Sequence, residues 1–288
     1  MPERDGYIPG VPCWTDTSQP DPKAAADFYS GLFGWECENV MPADAEAEYF
    51  IGRINGKNAA GVGPIPEGAP AMAMWNTYIW VESAEETASR AKDAGGKVVT
   101  EPFDVMDSGR MAVLSDPEGA VFCVWEAKEN KGAEVVNEHG SVVFNGLNTR
   151  DAEGAKSFYG SVFGWGTLDL GGGMAMWTLP GYGDHLETIT PGIRKQVEES
   201  GGPKGFEDVV ASLNPIPDDQ PDTPPHWSVT FAVDDADAAA EKAGELGGKV
   251  IAPPLDAPWV RMTVLQDPQG ATFIASKYVP ENKDLGRA

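Results

Sequence analysis

Cysteine, histidine and positive charge are all scarce in this chain. Its three cysteines (Cys13, Cys37, Cys123) form no CxxC pair and are odd in number, which excludes a disulfide framework and fits reduced thiols in a cytoplasm. Its three histidines (His139, His185, His226) show no HxH or HxxxH spacing, so no contiguous metal motif is present. With 21 Lys and Arg against 45 Asp and Glu the net charge is −24, a field that repels phosphate backbones and anionic lipid. Nucleic acid and membrane are therefore set aside as partners. No apolar run approaches the roughly 18 residues of a membrane span, and the stretch Met1–Asp5 lacks the basic and apolar regions of a secretory signal. The expectation is a soluble, cytoplasmic protein. Gly171–Gly173 matches neither GxGxxG nor GxxxxGK[ST], so it is no phosphate loop. Hydrophobic residues make up 41% and charged residues 23%, enough apolar content for a packed core.

What is abundant is internal repetition. AAADFYSGLFGW at 24–35 returns as GAKSFYGSVFGW at 154–165, with Phe28, Tyr29, Phe33, Gly34 and Trp35 each reappearing 130 positions on. GRMAVLSDPEGAVF (109–122) returns as VRMTVLQDPQGATF (260–273), offset by 151, and the AGGKVV segment near Gly95 returns as LGGKVI near Gly247, offset by 152. Three segments in one order make the halves duplicates. The boundaries read as 8–128 and 141–280, joined by a polar linker at 129–140. The growing offset requires an insertion in the second half. Its home is 181–225, where Gly and Pro punctuate a loop, either a lid or decoration.

Within each half the pattern alternates strand and helix. Asp21-Pro22 supplies an N-cap and a proline at N1; Ala24, Ala25, Phe28 and Leu32 share a face, and Gly34 ends the helix. Asp151 opens the equivalent helix. Ser83–Ala94 and Asp235–Leu246 read as second helices ending in Gly-Gly. Trp75–Val81 and Trp227–Val233 are rich in β-branched and aromatic residues, hence strands. The Asp-Pro-x-Gly turns at 116–119 and 267–270 join the arms of a hairpin in each half.

With FYxxxFGW on a first helix, AGGKV closing a second and an R-M-x-V-L-x-D-P-x-G hairpin last, the chain resembles the vicinal oxygen chelate (glyoxalase/bleomycin resistance/dioxygenase) superfamily. More narrowly, it is similar to a two-domain actinobacterial glyoxalase-like/hydroxylase family. The resemblance covers roughly residues 10–280 and implies an α+β fold: a tandem duplication of paired βαβββ modules, four in all, each half a cup-shaped mixed sheet with helices outside. It also implies where metal-using members place His, Gln or Glu. Those positions fall here on Trp14, Asn76 and Cys123 in the first half and on Phe144, Ser228 and Ile274 in the second. Such side chains make a poor divalent site, so no metal and no cofactor are expected.

Strand alternation puts i and i+2 on one face. Trp14 and Asp16, Asn76 and Tyr78, and Cys123 and Trp125 are thus expected to converge in the first cup. The plainer set Phe144/Gly146, Ser228/Thr230 and Ile274/Ser276 is expected in the second. Asp16 and Tyr78 are the candidate acid–base pair, although Asp16 equally suits capping of a Thr15–Ser18 turn. Arg110 and Arg261, equivalent by the repeat, could clamp a carboxylate or enolate, or form structural ion pairs. His226 shares strand parity with Ser228, and Cys123 reads as a buried thiol. The function expected is metal-independent binding, and possibly transformation, of a small aromatic or polyketide-like metabolite, as in natural-product tailoring or resistance, by a monomer or homodimer. The alternatives are a metal-dependent lyase, isomerase or dioxygenase using His226, His185 and a glutamate such as Glu126, or a regulatory protein.

Overall fold

Asp21 stands just past the first strand and caps the first helix, and that local decision is repeated at Asp151. The computed structural model describes residues 4–171 and 174–285, so Gly172 and Gly173 of the glycine run and the first three residues lie outside it. Strand β1 (Pro12–Gln19) leads to helix α1 (Pro22–Phe33), where Asp21 accepts from the Ala24 N–H at 3.0 Å and Gly34, at φ 73°, closes the last turn onto Ser30 O. Only a residue without Cβ takes that left-handed conformation freely. Asp151 and Gly164 do the same for helix α3 (Ala152–Phe163).

In the first half β1 and α1 are followed by β2 (Glu36–Asn39), β3 (Phe50–Ile54) and β4 (Lys57–Pro64). A second βαβββ unit comprises β5 (Met74–Trp80), α2 (Ala84–Asp93), β6 (Lys97–Val105), β7 (Gly109–Ser115) and β8 (Val121–Ala127). The two units join through antiparallel β1 and β5 into one eight-stranded mixed sheet, ordered β2-β3-β4-β1-β5-β8-β7-β6. The second half repeats this with β9 (Val142–Thr149), α3, β10 (Gly166–Gly171), β11 (Met174–Thr178), β12 (Val209–Pro215), β13 (His226–Ala232), α6 (Ala236–Glu245), β14 (Lys249–Ala257), β15 (Val260–Gln266) and β16 (Thr272–Tyr278). The order is β10-β11-β12-β9-β13-β16-β15-β14. The fold is α+β, and each sheet draws only on its own half.

The segment 181–225 corrects the sequence reading. It is not a loop throughout but folds into helix α4 (Tyr182–Ile189), helix α5 (Ile193–Glu199) and the sheet strand β12. The glycines that suggested a loop, Gly181 and Gly192, both at φ 87°, stand at the N-caps of the two helices.

The helices lie on the face of each sheet opposite the cup, and there the halves pack back to back. One core combines Phe28, Tyr29 and Phe33 of α1 with Phe231, Ala240 of α6 and Phe273; a second combines Ile79, Ala88 of α2 and Phe122 with Tyr159, Trp177 and Trp227. Tyr29, Tyr159, Trp177, Phe231 and Phe273 are 0% exposed. Each such side chain contributes roughly 1.5–3 kcal/mol of transfer free energy. The repeated motifs meet across this seam. Tyr29 Oη donates to Asp267 Oδ2 at 2.8 Å, and Tyr159 Oη donates to Asp116 Oδ2 at 3.2 Å. Trp35 Nε1 donates to Gly140 O and Trp165 Nε1 to Gly10 O, each at 2.8 Å. The other oxygen of each aspartate accepts turn amides, Ala120 N at 2.9 Å for Asp116 and Ala271 N at 2.9 Å for Asp267. In each half, therefore, one aspartate sets both the turn and a contact of the seam. Among the described residues no helix is long and apolar enough to cross a membrane.

Candidate functional site

Each sheet presents a concave face, and the two faces differ. In the first half Trp14, Asp16, Asn76, Tyr78, Cys123 and Trp125 come together on one side, with Asp16 opposite Asn76, Trp14 opposite Tyr78 and Tyr78 opposite Cys123 in the strand register. Asp16 lies within a strand, so it caps no Thr15–Ser18 turn. Its carboxylate accepts from Asn76 Nδ2, Tyr78 Oη and Tyr49 Oη, all at 2.9 Å. Burial pushes the Asp16 carboxyl above the usual carboxylate range, and the three donors pull against that shift. Burial likewise pushes up the Cys123 thiol, with the nearby Asp16 charge adding to it, so the thiolate nucleophile is disfavoured.

Tyr49 was not singled out in the sequence. Its ring lies against Gly61 and Gly63 of β4, where a Cβ at either position would collide with it, and its hydroxyl accepts from Trp14 Nε1 at 3.4 Å. Trp125 closes the other side, edge-on to Tyr78 with ring centroids 6.2 Å apart and with Nε1 donating to Asn130 O at 2.9 Å. Trp14, Asp16, Tyr78, Cys123 and Trp125 are all buried. The first cup is filled by its own side chains.

The second cup is open. Its inward positions Phe144, Asn148, Ser228, Thr230, Met262 and Ile274 are only half-buried. Gly146 keeps its floor low, since a Cβ there would meet Ser212 Oγ, Asn214 Nδ2 and Ser228 Oγ. Asn148 Nδ2 donates to Ser228 Oγ at 3.1 Å and Asn214 Nδ2 to Ser212 Oγ at 3.1 Å, leaving a row of neutral polar groups between apolar walls. His226 stands exposed at the rim, its Nδ1 2.8 Å from Pro224 O. A cavity of about 210 Å³ adjoins this end of the sheet, bounded by the start of β9 including Phe144, by Val209 and Val210, by α4 and α5, and by Arg4 and Tyr7 of the N-terminal segment.

Arg110 and Arg261 are corrected. Met111 packs into the first cup, so its neighbour Arg110 emerges on the helix side, paired with Glu85 of α2 at 2.5 Å and with Asp104 at 3.2 Å. Arg261 pairs in the same way with Asp237 of α6 at 2.6 Å and Asp256 at 3.2 Å. Neither reaches a cup. The set His226, His185 and Glu126 is not assembled either. Glu126 accepts from the Ala84 N–H at 2.9 Å at the start of α2, and His185 stacks on Tyr182 with centroids 6.3 Å apart. His139 Nδ1 accepts from the Asp234 N–H at 3.1 Å, tying the linker to the second half. Among the described residues no three His, Cys, Asp or Glu side chains are grouped to hold a metal ion. Indole, phenyl, amide and hydroxyl groups at the cup positions do not fit the divalent ion that the resemblance implies.

Two cups, each made from paired βαβββ modules, define the class of protein: a double-cup α+β scaffold. Residues 14–125 match the glyoxalase-like domain family, and residues 140–274 match the glyoxalase/bleomycin resistance protein/dioxygenase superfamily. The chain is 36% identical over 284 residues to the protein named as the glyoxylase CFP32 of Mycobacterium tuberculosis, covering 98% of this chain and 100% of that one. It is 35% identical over 280 residues to the anthracycline biosynthesis protein DnrV of Streptomyces peucetius, covering 93% of each. Among solved structures it is similar to the Mn(II)-bound glyoxalase of Novosphingobium aromaticivorans, with TM-score 0.59 and 15% identity over 94% of this chain and 83% of that one, a likeness of fold. The chain belongs to the glyoxalase/bleomycin resistance protein/dioxygenase superfamily.

Proposed function

We propose that this protein binds a small aromatic or polyketide-like metabolite without a metal ion, in a natural-product tailoring or resistance role, and that the second cup is the binding site. The observation that carries this is the contrast between the cups. The first is packed shut, while the second keeps Phe144, Met262 and Ile274 half-buried around Ser228 and Asn148, and Phe144 also borders the cavity beside α4 and α5. Apolar walls with a few neutral hydrogen-bonding groups suit a flat, weakly polar ligand. The similarity to DnrV, named for anthracycline biosynthesis, is in keeping with that ligand class. The helices α4 and α5 act on this reading as a cover for the ligand, and three free thiols are in keeping with a cytoplasmic location.

In this proposal Asp16 and Tyr78 serve the first cup's packing. They would do acid–base chemistry only if Tyr49 left its slot over Gly61 and Gly63. The test is a titration of planar aromatic metabolites, anthraquinones included, followed by calorimetry on protein stripped with chelator. Saturable binding that Phe144→Ala weakens at least tenfold supports the reading. Absence of binding at millimolar ligand, or binding that returns only with an added divalent ion, overturns it.

A further inference from the structure

The two cups hold the same strand positions and opposite hydrogen-bonding chemistry. Asp16 pairs with Gly61 and Asn76 in the first sheet, and Gly146 pairs with Ser212 and Ser228 in the second. In the first cup the Asp16 carboxylate is the central acceptor, taking hydrogen bonds from Asn76, Tyr78 and Tyr49. Tyr49 arrives on the stretch 40–49 that joins β2 to β3. In the second half only Gly172 and Gly173 join β10 to β11, so no ring is delivered, and Gly146 brings no carboxylate.

Polar groups gather at the vacated place all the same. A Cβ added to Gly146 would lie 2.5 Å from Ser212 Oγ, 2.8 Å from Asn214 Nδ2 and 3.2 Å from Ser228 Oγ. Ser228 Oγ donates to Gly146 O at 3.2 Å, and Asn214 Nδ2 spends one N–H on Ser212 Oγ at 3.1 Å. The Ser212 hydroxyl hydrogen and the second Asn214 amide hydrogen have no acceptor among the described residues. Ser212 and Asn214 stand where the first sheet has Gly61 and Gly63, and both are half-buried on the open face.

Solvent serves these two donors while the cup is open. A ligand that covers the cup takes that solvent away and must bring an acceptor of its own, or leave both donors unsatisfied. The acceptor is a neutral one. Phe144, Asn148, Ser212, Asn214, Ser228 and Thr230 supply no cation, and His226 at the rim is turned to Pro224 O. A charge covered here would lose its water without gaining a counter-charge.

Resting on the second-cup binding reading above, we propose that the ligand is a planar aromatic ketone or quinone whose carbonyl oxygen accepts from Ser212 Oγ and Asn214 Nδ2 over Gly146. Its rings lie toward Phe144, Thr230 and Ile274, which neighbour one another in the strand register. The carbonyl takes the part that the Asp16 carboxylate plays in the first cup.

The probes are 1-tetralone and tetralin, which differ by the carbonyl oxygen. Each is held at a fixed low concentration while the full chain is titrated in and the NMR signals of the probe are followed. The expected result is tetralone binding about tenfold tighter, as for two neutral hydrogen bonds. In Ser212→Ala with Asn214→Leu that preference falls below about twofold, and Ser212→Ala alone leaves about threefold. Equal affinity for the two probes in the unaltered protein overturns the carbonyl assignment and leaves aromatic binding intact. So does a tenfold preference that survives in the double variant. Failure of both probes to bind at millimolar protein overturns the aromatic reading as well.

Discussion

Tyr49→Ala tests why the first cup is closed. The Tyr49 ring fills the slot over Gly61 and Gly63, and its hydroxyl bridges Trp14 Nε1 (3.4 Å) and Asp16 Oδ2 (2.9 Å). Truncating a fully buried aromatic costs about 3–5 kcal/mol. Tyr49 keeps part of its surface in water, which lowers the transfer part, but it also loses a hydrogen bond to a carboxylate, worth about 1.5–3 kcal/mol. The expected net loss is about 3–4 kcal/mol, read from urea denaturation. Because glycine has no side chain to relax into the gap, the void has the shape of the missing phenol, and p-cresol is expected to fill it. At a hundred times its dissociation constant p-cresol restores about 2.7 kcal/mol. A loss below about 1 kcal/mol refutes the plug, as does p-cresol stabilising the unaltered protein as much as the variant.

The remaining predictions concern pH, the seam between halves and the surface arginines. The Asp16 carboxyl titrates higher in the folded chain than the roughly 3.9 of an unfolded aspartate, so its contribution to stability is full below that value and is lost as pH rises through the folded pKa. The stability difference between the unaltered protein and Asp16→Asn should therefore shrink or reverse as pH rises from 4 upward, and a difference that grows with pH is the contrary result. Tyr159→Phe strips a donor from Asp116 and the acceptor from Trp227 Nε1, at about 2–4 kcal/mol. Tyr29→Phe should cost less, because Asp267 Oδ2 keeps the Gln19 amide at 2.6 Å; denaturation midpoints in the opposite order refute the account. Arg110→Ala and Arg261→Ala should leave aromatic-ligand affinity unchanged, and a tenfold loss in either would return that arginine to a cup.

Much of the architecture was legible in the sequence because its cues are local. Asp21-Pro22, Gly34 and the Asp-Pro-x-Gly turns each satisfy a backbone requirement within a few residues, and their repetition announces the duplication. Alternation also brought Trp14, Asp16, Asn76 and Tyr78 to one face, since that needs only strand geometry. Tyr49 was missed because β4 reads KNAAGVGP: its glycines look like a turn but open a slot for a ring that precedes another strand. Helices α4 and α5 were missed because they are short and begin at Gly181 and Gly192 without a side-chain cap. Arg110 and Arg261 were left open between an anion clamp and an ion pair, although each adjoins a cup-facing methionine and alternation sends the arginine to the other side. Which cup stays open depends on packing between strands distant in sequence, and no single-strand pattern carries that.

The exchange of contacts across the seam has a consequence for ancestry. Tyr29 reaches the turn of the opposite half and Tyr159 returns the favour, as do Trp35 and Trp165, which is the reciprocity of a two-fold dimer written into one polypeptide. A primordial gene encoding a single half could have formed the same assembly from two identical copies. In a single chain each cup is free to differ from the other, as the filled first cup and the half-buried second cup do.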